Sequence, residues 1–224
     1  MFPVRDSINH HGPALITRLL IALNVAVFFW QVSLGPEGFQ WVVNHYGFVP
    51  KAFFTNPSNH FWHVFSSMFL HGSFEHILGN MWFLWIFGPA VESRLGSVRY
   101  LLVYLLAGIG AAFFQAVFLP ASTVPMIGAS GAISGVLGAY FVLFPAAWVL
   151  TLLWPFPPIF FWFPAAFFIG YWVLIQLLYG LLGLPGVAWW AHVGGFVVGY
   201  SLTIWMRPKR HYSDDPYWYR GYGF

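Results

Sequence analysis

Residues 126–145 are twenty in a row without a charged side chain, enough for a helix to span the roughly 30 Å hydrocarbon core of a bilayer. Five more predominantly apolar runs lie at residues 15–32, 74–91, 100–119, 165–182 and 189–206. So many long runs in one chain point to lipid as the surrounding solvent. Composition agrees: 59% of residues are hydrophobic and 7% charged, where a soluble domain carries about 25% charge. The 13 tryptophans suit a chain that populates membrane interfaces. A net charge of +3, scattered along the chain, argues against a nucleic-acid partner, and the absence of cysteine excludes disulfides and thiolate metal sites. The first residues lack the layout of a cleavable signal, because the first apolar run is too long and no small-residue cleavage site follows it.

These runs predict an all-α membrane protein, a compact bundle of six transmembrane helices with a long interfacial first loop. The expected division is a cytoplasmic N-terminal tail over 1–14, a six-helix membrane domain over 15–206, and a short cytoplasmic C-terminal tail over 207–224. Residues 33–63 form the first loop, with turn signals at Gly35-Pro36, Gly38 and Asn56-Pro57 and the aromatics Trp41, Phe48, Phe53, Phe54, Phe61 and Trp62. Residues 146–164 are apolar but broken by Pro155, Pro157, Pro158 and Pro164, so they read as an interfacial connection and not as a span. Six spans put Arg5, Arg18, Arg94, Arg99, Arg207, Lys209 and Arg210 on one side and Lys51 alone on the other. The positive-inside rule makes the first side cytoplasmic. A seventh span would place the Arg207–Arg210 charges outside.

Within the fourth run, Gly128-Ala129-Ser130-Gly131 and the glycines at 135 and 138 strip one helix face down. Small residues let a neighbouring helix approach closely. With a rise of about 1.5 Å per residue, Ser130 lies roughly 6 Å below Met126, His192 roughly 4.5 Å below Trp189, and His76 and Asn80 roughly 3 and 9 Å below Phe74. A serine, two histidines and an asparagine thus share one layer on three helices of the same direction. Each alone is as readily packing glue as chemistry; together they point to a site, because polar groups inside a membrane are costly. A serine hydroxyl needs an adjacent base to act as a nucleophile. His192, with Gly195 and Gly199 on nearly its own face, can close on the glycine face of the fourth span. The carboxylates are Asp6, Glu37, Glu75, Glu92, Asp214 and Asp215, and only Glu75 lies near the layer. No third member is evident, and the expectation is a Ser130–His192 dyad without a carboxylate. His76 and Asn80, spaced i, i+4, share a face, and with the Ser130 amide they can donate to an oxyanion.

Gly128-Ala129-Ser130-Gly131, Ala191-His192 with Gly195, and His71, His76 and Asn80 leading into the second span resemble the rhomboid family of intramembrane serine proteases. Glu92-Ser93-Arg94-Leu95-Gly96 looks like that family's turn after the second span, and Trp62-His63 stands where it has a Trp-Arg pair. The resemblance covers residues 16–206. It implies a serine endopeptidase with Ser130 as nucleophile and His192 as general base. His76, Asn80 and the Ser130 amide are implied as the oxyanion hole, span five as a lateral gate, and the loop before span six as a cap. Substrates would be single-span membrane proteins, with no cofactor and no metal. Two departures carry expectations of their own. His63 in place of Arg weakens the anchoring of the first loop. Ser134 in place of an aromatic, which some members carry under the base, loosens His192. The bare six-span form favours a prokaryotic plasma membrane.

Two other readings compete. A rhomboid-like pseudoprotease binds transmembrane helices without cutting them, but its members lack the Ser or the His that are present here. A metal carrier using His60, His63, His71 and His76 is weakened by spacing, since His71 and His76 are five apart and turn to different helix faces, whereas a structural metal site wants closed geometry.

Overall fold

In the computed structural model, residues 1–9, 12–153 and 157–207 are described. The described chain is mostly helical. A strand β1 (Phe2–Asp6) is followed by α1 (Leu15–Ser33), α2 (Gly35–Tyr46), α3 (Pro50–Thr55), α4 (Pro57–His60) and α5 (His63–Ser66). Then come α6 (Phe74–Leu95), α7 (Ser97–Phe118), α8 (Ser130–Leu143), strands β2 (Trp148–Leu153) and β3 (Ile159–Pro164), α9 (Ala165–Leu181) and α10 (Trp189–Met206). By length and composition α1 and α7 are long and apolar enough to cross a membrane; α8 and α9 are shorter apolar helices. Lys209, Arg210 and the aromatic segment expected as a C-terminal tail lie outside the described residues, as does Pro155.

Helices α7, α8 and α10 form the tightest part of the bundle, because small residues bring their backbones together. A Cβ added at Gly195 lands on the Gly131 carbonyl oxygen, one at Gly199 on the Gly135 carbonyl oxygen, and one at Gly135 on Ala107. The glycine faces expected to meet do meet. Around this centre, Tyr100, Tyr104, Phe87 and Tyr140 are fully buried and fill the wider space toward α6. Glu92, four residues before the C-cap Gly96, ties three elements together. Its carboxylate accepts from Ile16 N (2.9 Å), Thr17 N (2.8 Å), Thr17 Oγ1 (2.8 Å) and Ser97 Oγ (2.8 Å). The start of α1 has no side-chain cap of its own, so Glu92 satisfies amides that would otherwise be orphaned.

Several expectations are corrected. The protein is not all-α: β1, β2 and β3 form an antiparallel sheet in that order. The six-residue segments Trp148–Leu153 and Ile159–Pro164 are too short for spans and rich in residues that favour strands. The two runs pair antiparallel where an irregular connection was expected. The expected N-terminal tail supplies the third strand. Its Asp6 Oδ2 accepts from the Tyr140 hydroxyl (2.8 Å) and its Pro3 carbonyl from Trp82 Nε1 (2.7 Å).

The first loop is mostly helical, with Pro36, Pro50 and Pro57 in the first turns of α2, α3 and α4, where a missing N–H does no harm. Its aromatics divide: Phe48 and Phe53 are buried beside Ala112 and Ala116 of α7, while Trp41, Phe54, Phe61 and Trp62 face outward. The loop is anchored without an arginine at 63. Phe48 and Met126 exchange backbone hydrogen bonds of 3.0 and 2.8 Å, and Lys51 N donates to Ser122 O at 3.0 Å. Ser66 Oγ donates to Tyr46 O at 2.7 Å. His63 instead meets His60, Nδ1 to Nδ1 at 3.2 Å.

A further correction is that the fourth helix does not begin at Met126. Residues 126–129 are extended or turning, with Gly128 at φ +119°, and α8 starts at Ser130.

Candidate active site

The late start of α8 makes Ser130 its first residue. The first turn has no side-chain cap, and its first helical bond runs from Ile133 N to Ala129 O (2.9 Å). The amides of Ser130, Gly131 and Ala132 therefore have no acceptor within the helix, and the positive end of the helix faces the Ser130 side chain. Ser130 reaches its depth on an extended approach segment and not by helical rise. Gly128 N donates to Ser67 O (2.8 Å), pinning that segment beneath the first loop.

Ser130 Oγ lies 2.8 Å from His192 Nε2. His192 is the fourth residue of α10 and is buried. Gln115 of α7 fixes the start of α10 by accepting from Ala191 N (3.1 Å). The glycine contacts between α8 and α10 bring the two backbones near enough for a short serine side chain to reach the ring.

His76 stands in the first turn of α6, where the N-cap Ser73 Oγ accepts from its amide (3.2 Å). Gly72 N donates to His76 Nδ1 (3.3 Å), so the ring proton sits on Nε2. That nitrogen faces Gly128: a Cβ added at Gly128 would lie 2.7 Å from His76 Nε2 and 3.7 Å from Ser130 Oγ. Asn80, one turn on, is buried and donates one amide proton to His76 O (3.0 Å). The structure thus brings Ser130 and His192 into direct contact and sets His76 beside them, with Asn80 one turn behind.

His71 is fully buried against His76, with ring centroids 5.1 Å apart. Its backbone is clamped to α1, His71 N donating to Gln31 Oε1 (3.1 Å) and Gln31 Nε2 to His71 O (3.3 Å). Burial pushes its imidazole down to about 3, so the ring is neutral near pH 7. A cleft beside Ser130 is lined by Met68, Met126, Ile127, Gly128, Ala188 and Ala191.

The sequence makes no third partner of His192 evident, and the structure supplies one. His192 Nδ1 lies 2.7 Å from Gln176 Oε1 on α9. The signal in the sequence is Gln176 itself, the one amide in an otherwise apolar and aromatic helix, where a polar side chain needs a mate. Ser134, expected to loosen His192, puts no ring beneath it. Ser134 Oγ donates to Ser130 O (2.6 Å), and Trp172 of α9 brings its ring to 5.7 Å from that of His192, tilted by 31°. Among the described residues no group of three or more His, Cys, Asp or Glu could hold a metal ion.

The rhomboid domain family model matches residues 58–209, the stretch that contains all of these groups. The chain belongs to the rhomboid family, a family of integral membrane proteins that includes intramembrane proteases. Among its relatives, RHOMBOID-like protein 4 of Arabidopsis thaliana is 30% identical over 68% of this chain and 36% of its own length. Rhomboid protein 1, mitochondrial, of Saccharomyces cerevisiae is 31% identical over 65% and 41%. Rhomboid protease GluP of Bacillus subtilis is 35% identical over 59% and 25%. The chain thus spans well under half the length of these relatives.

Proposed function

We propose that this chain is an intramembrane serine endopeptidase that cuts transmembrane segments of single-span membrane proteins near their outer ends. The observation that carries the reading is the 2.8 Å contact of Ser130 Oγ with His192 Nε2 at the uncapped N-terminus of a helix. His192 takes the hydroxyl proton as Ser130 Oγ attacks the scissile carbonyl. The negative charge on the carbonyl oxygen is met by the Ser130 amide, by His76 Nε2–H and by the remaining Asn80 amide proton. His192 then returns its proton to the leaving amine, and water hydrolyses the acyl-enzyme with His192 again as base. No metal or cofactor enters these steps.

In this reading α1, α6, α7, α8, α9 and α10 are the six spans of a membrane domain over 15–206. The sheet lies at the far end of α8 from Ser130, on the cytoplasmic side marked by Arg5, Arg18, Arg94, Arg99 and Arg207. The relatives include both bacterial and mitochondrial proteins.

The test is cleavage of a single-span reporter by the purified protein in detergent. Ser130→Ala and His192→Ala should each abolish cleavage with the melting temperature unchanged, and the double variant should be no worse than either, since residues acting as a unit are non-additive. Turnover near wild type in either single variant overturns the reading. Reporter binding without cleavage by the wild-type protein would favour a pseudoprotease.

A further inference from the structure

A serine and a histidine in contact do not by themselves make a base. A neutral imidazole carries one N–H, on either nitrogen. Nε2 can take the Ser130 proton only when that N–H is on Nδ1. In the opposite tautomer Nε2 donates to the serine and cannot accept from it. Something must therefore choose the tautomer, and in a buried ring that choice belongs to the partner of the second nitrogen.

That partner is Gln176. Its Oε1 lies 2.7 Å from His192 Nδ1, the side chain is buried, and an amide oxygen can only accept. The bond therefore places the proton on Nδ1 and leaves the Nε2 lone pair aimed at Ser130 Oγ. Trp172, four residues earlier on α9 and so on the same helix face, lies over the imidazole at 5.7 Å and restricts its rotation. Ser134 of α8 cannot supply that ring or the Nδ1 acceptor, because it has no ring and its hydroxyl is engaged by Ser130 O.

We propose that Gln176 is the positioning residue of the His192 base, a neutral amide that selects the Nδ1–H tautomer in place of a carboxylate. This rests on reading His192 as the base of Ser130. An amide suits the setting: it holds the proton without placing a charge in a buried site, where an ionised carboxylate would have to be desolvated. The Nδ1 acceptor and the Trp172 ring both come from α9, with Trp189 of α10 adding an edge-on ring at 6.4 Å, so the tautomer is selected only while α9 is docked on α10. The orientation of the reacting pair on α8 and α10 thus depends on a third helix that supplies no reacting atom.

The test separates tautomer from turnover. In full-length protein labelled with ¹⁵N-histidine, the His192 resonances are assigned by difference from His192→Phe. Wild type should show the Nδ1–H form. Gln176→Leu should lose that preference and lower kcat about 10- to 100-fold with KM changed less than about twofold, short of the about 10⁴-fold loss known when a charged triad partner is neutralised. Gln176→Glu, which keeps an acceptor oxygen, should restore most of kcat. If Gln176→Leu fails to fold, Gln176→Met, unbranched and without an acceptor, carries the same comparison. A variant without an acceptor that keeps both the Nδ1–H form and kcat within about threefold of wild type overturns the proposal. So do Leu and Glu variants equally impaired, with lowered melting temperatures and an unchanged tautomer. The resonances are read in resting protein, so they decide on Gln176 even if Ser130→Ala proved active and the proteolytic reading failed.

Discussion

At the scale of single residues, Gly128 and His76 are mutually constrained. Gly128 adopts φ +119°, a region L side chains rarely enter, and a Cβ there would meet His76 Nε2 at 2.7 Å. The same turn delivers the chain to the start of α8, so the glycine serves both the backbone path and the space the histidine needs. If His76 Nε2–H stabilises an oxyanion, His76→Ala should lower kcat by roughly 10²–10³ with little change in KM. Gly128→Ala should cost activity by pushing that ring away and should lower the melting temperature as well. Steady-state kinetics with the reporter, beside thermal melts, decide it. An effect confined to KM would make His76 a substrate contact. His71, neutral and buried behind it, reads as packing: its backbone holds α1 through Gln31.

At the scale of elements, the contact between α8 and α10 is backbone against backbone. Gly195→Val or Gly199→Val pushes a side chain into a carbonyl of α8. Either should separate Ser130 from His192, lowering activity and melting temperature together. Lost activity with an unchanged melt would show that the glycines serve something other than packing.

The sheet makes a separate prediction. Burial raises the Asp6 carboxyl from 3.8 to about 6, more than its hydrogen bond from Tyr140 lowers it. Its folded pKa lies above the unfolded one, so the folded state binds more protons between those values and stability falls as pH rises through that window. Asp6 is only half-buried, so the contribution is on the order of 1 kcal/mol. Thermal melts of wild type from pH 4 to pH 7 should drift downward relative to Asp6→Asn, which lacks the titration. Parallel profiles would show that Asp6 is not the group responsible.

At the scale of the whole molecule, the nucleophile sits one short segment below the end of the bundle where the first loop lies, opposite the sheet. If the chain cleaves transmembrane helices as proposed, a substrate helix must open to present a peptide bond there, and in lipid each unpaired backbone group costs several kcal/mol. Helices already weakened near the outer end should therefore be preferred. The cleft beside Ser130, lined by Gly128, Ala188 and Ala191 among others, should favour a small residue before the cut bond. A reporter whose outer turn is Gly-Ala should be cleaved within the outer third of its span, and one with Leu-Leu there should be cleaved little. Equal cleavage of both, or cutting only in the soluble flank, would show that helix stability is not what the protein selects.

Most helix positions were legible in the sequence, because each span records its own apolar length. The meeting of Ser130 with His192 was legible too, because glycine spacing and membrane polarity are local signals that point to the same layer. Three features were decided only by tertiary structure. The sheet joins residues 2–6 to residues 148–153, and pairing across that separation leaves no local periodicity to read. The start of α8 at Ser130 depends on the Phe48–Met126 bridge and on the Ser67 carbonyl, contacts that overrule an uninterrupted apolar run. Gln176 was visible as a lone amide in an apolar helix, but its mate was not. A hydrogen bond between two helices is specified by their rotation and depth, which packing sets and composition does not.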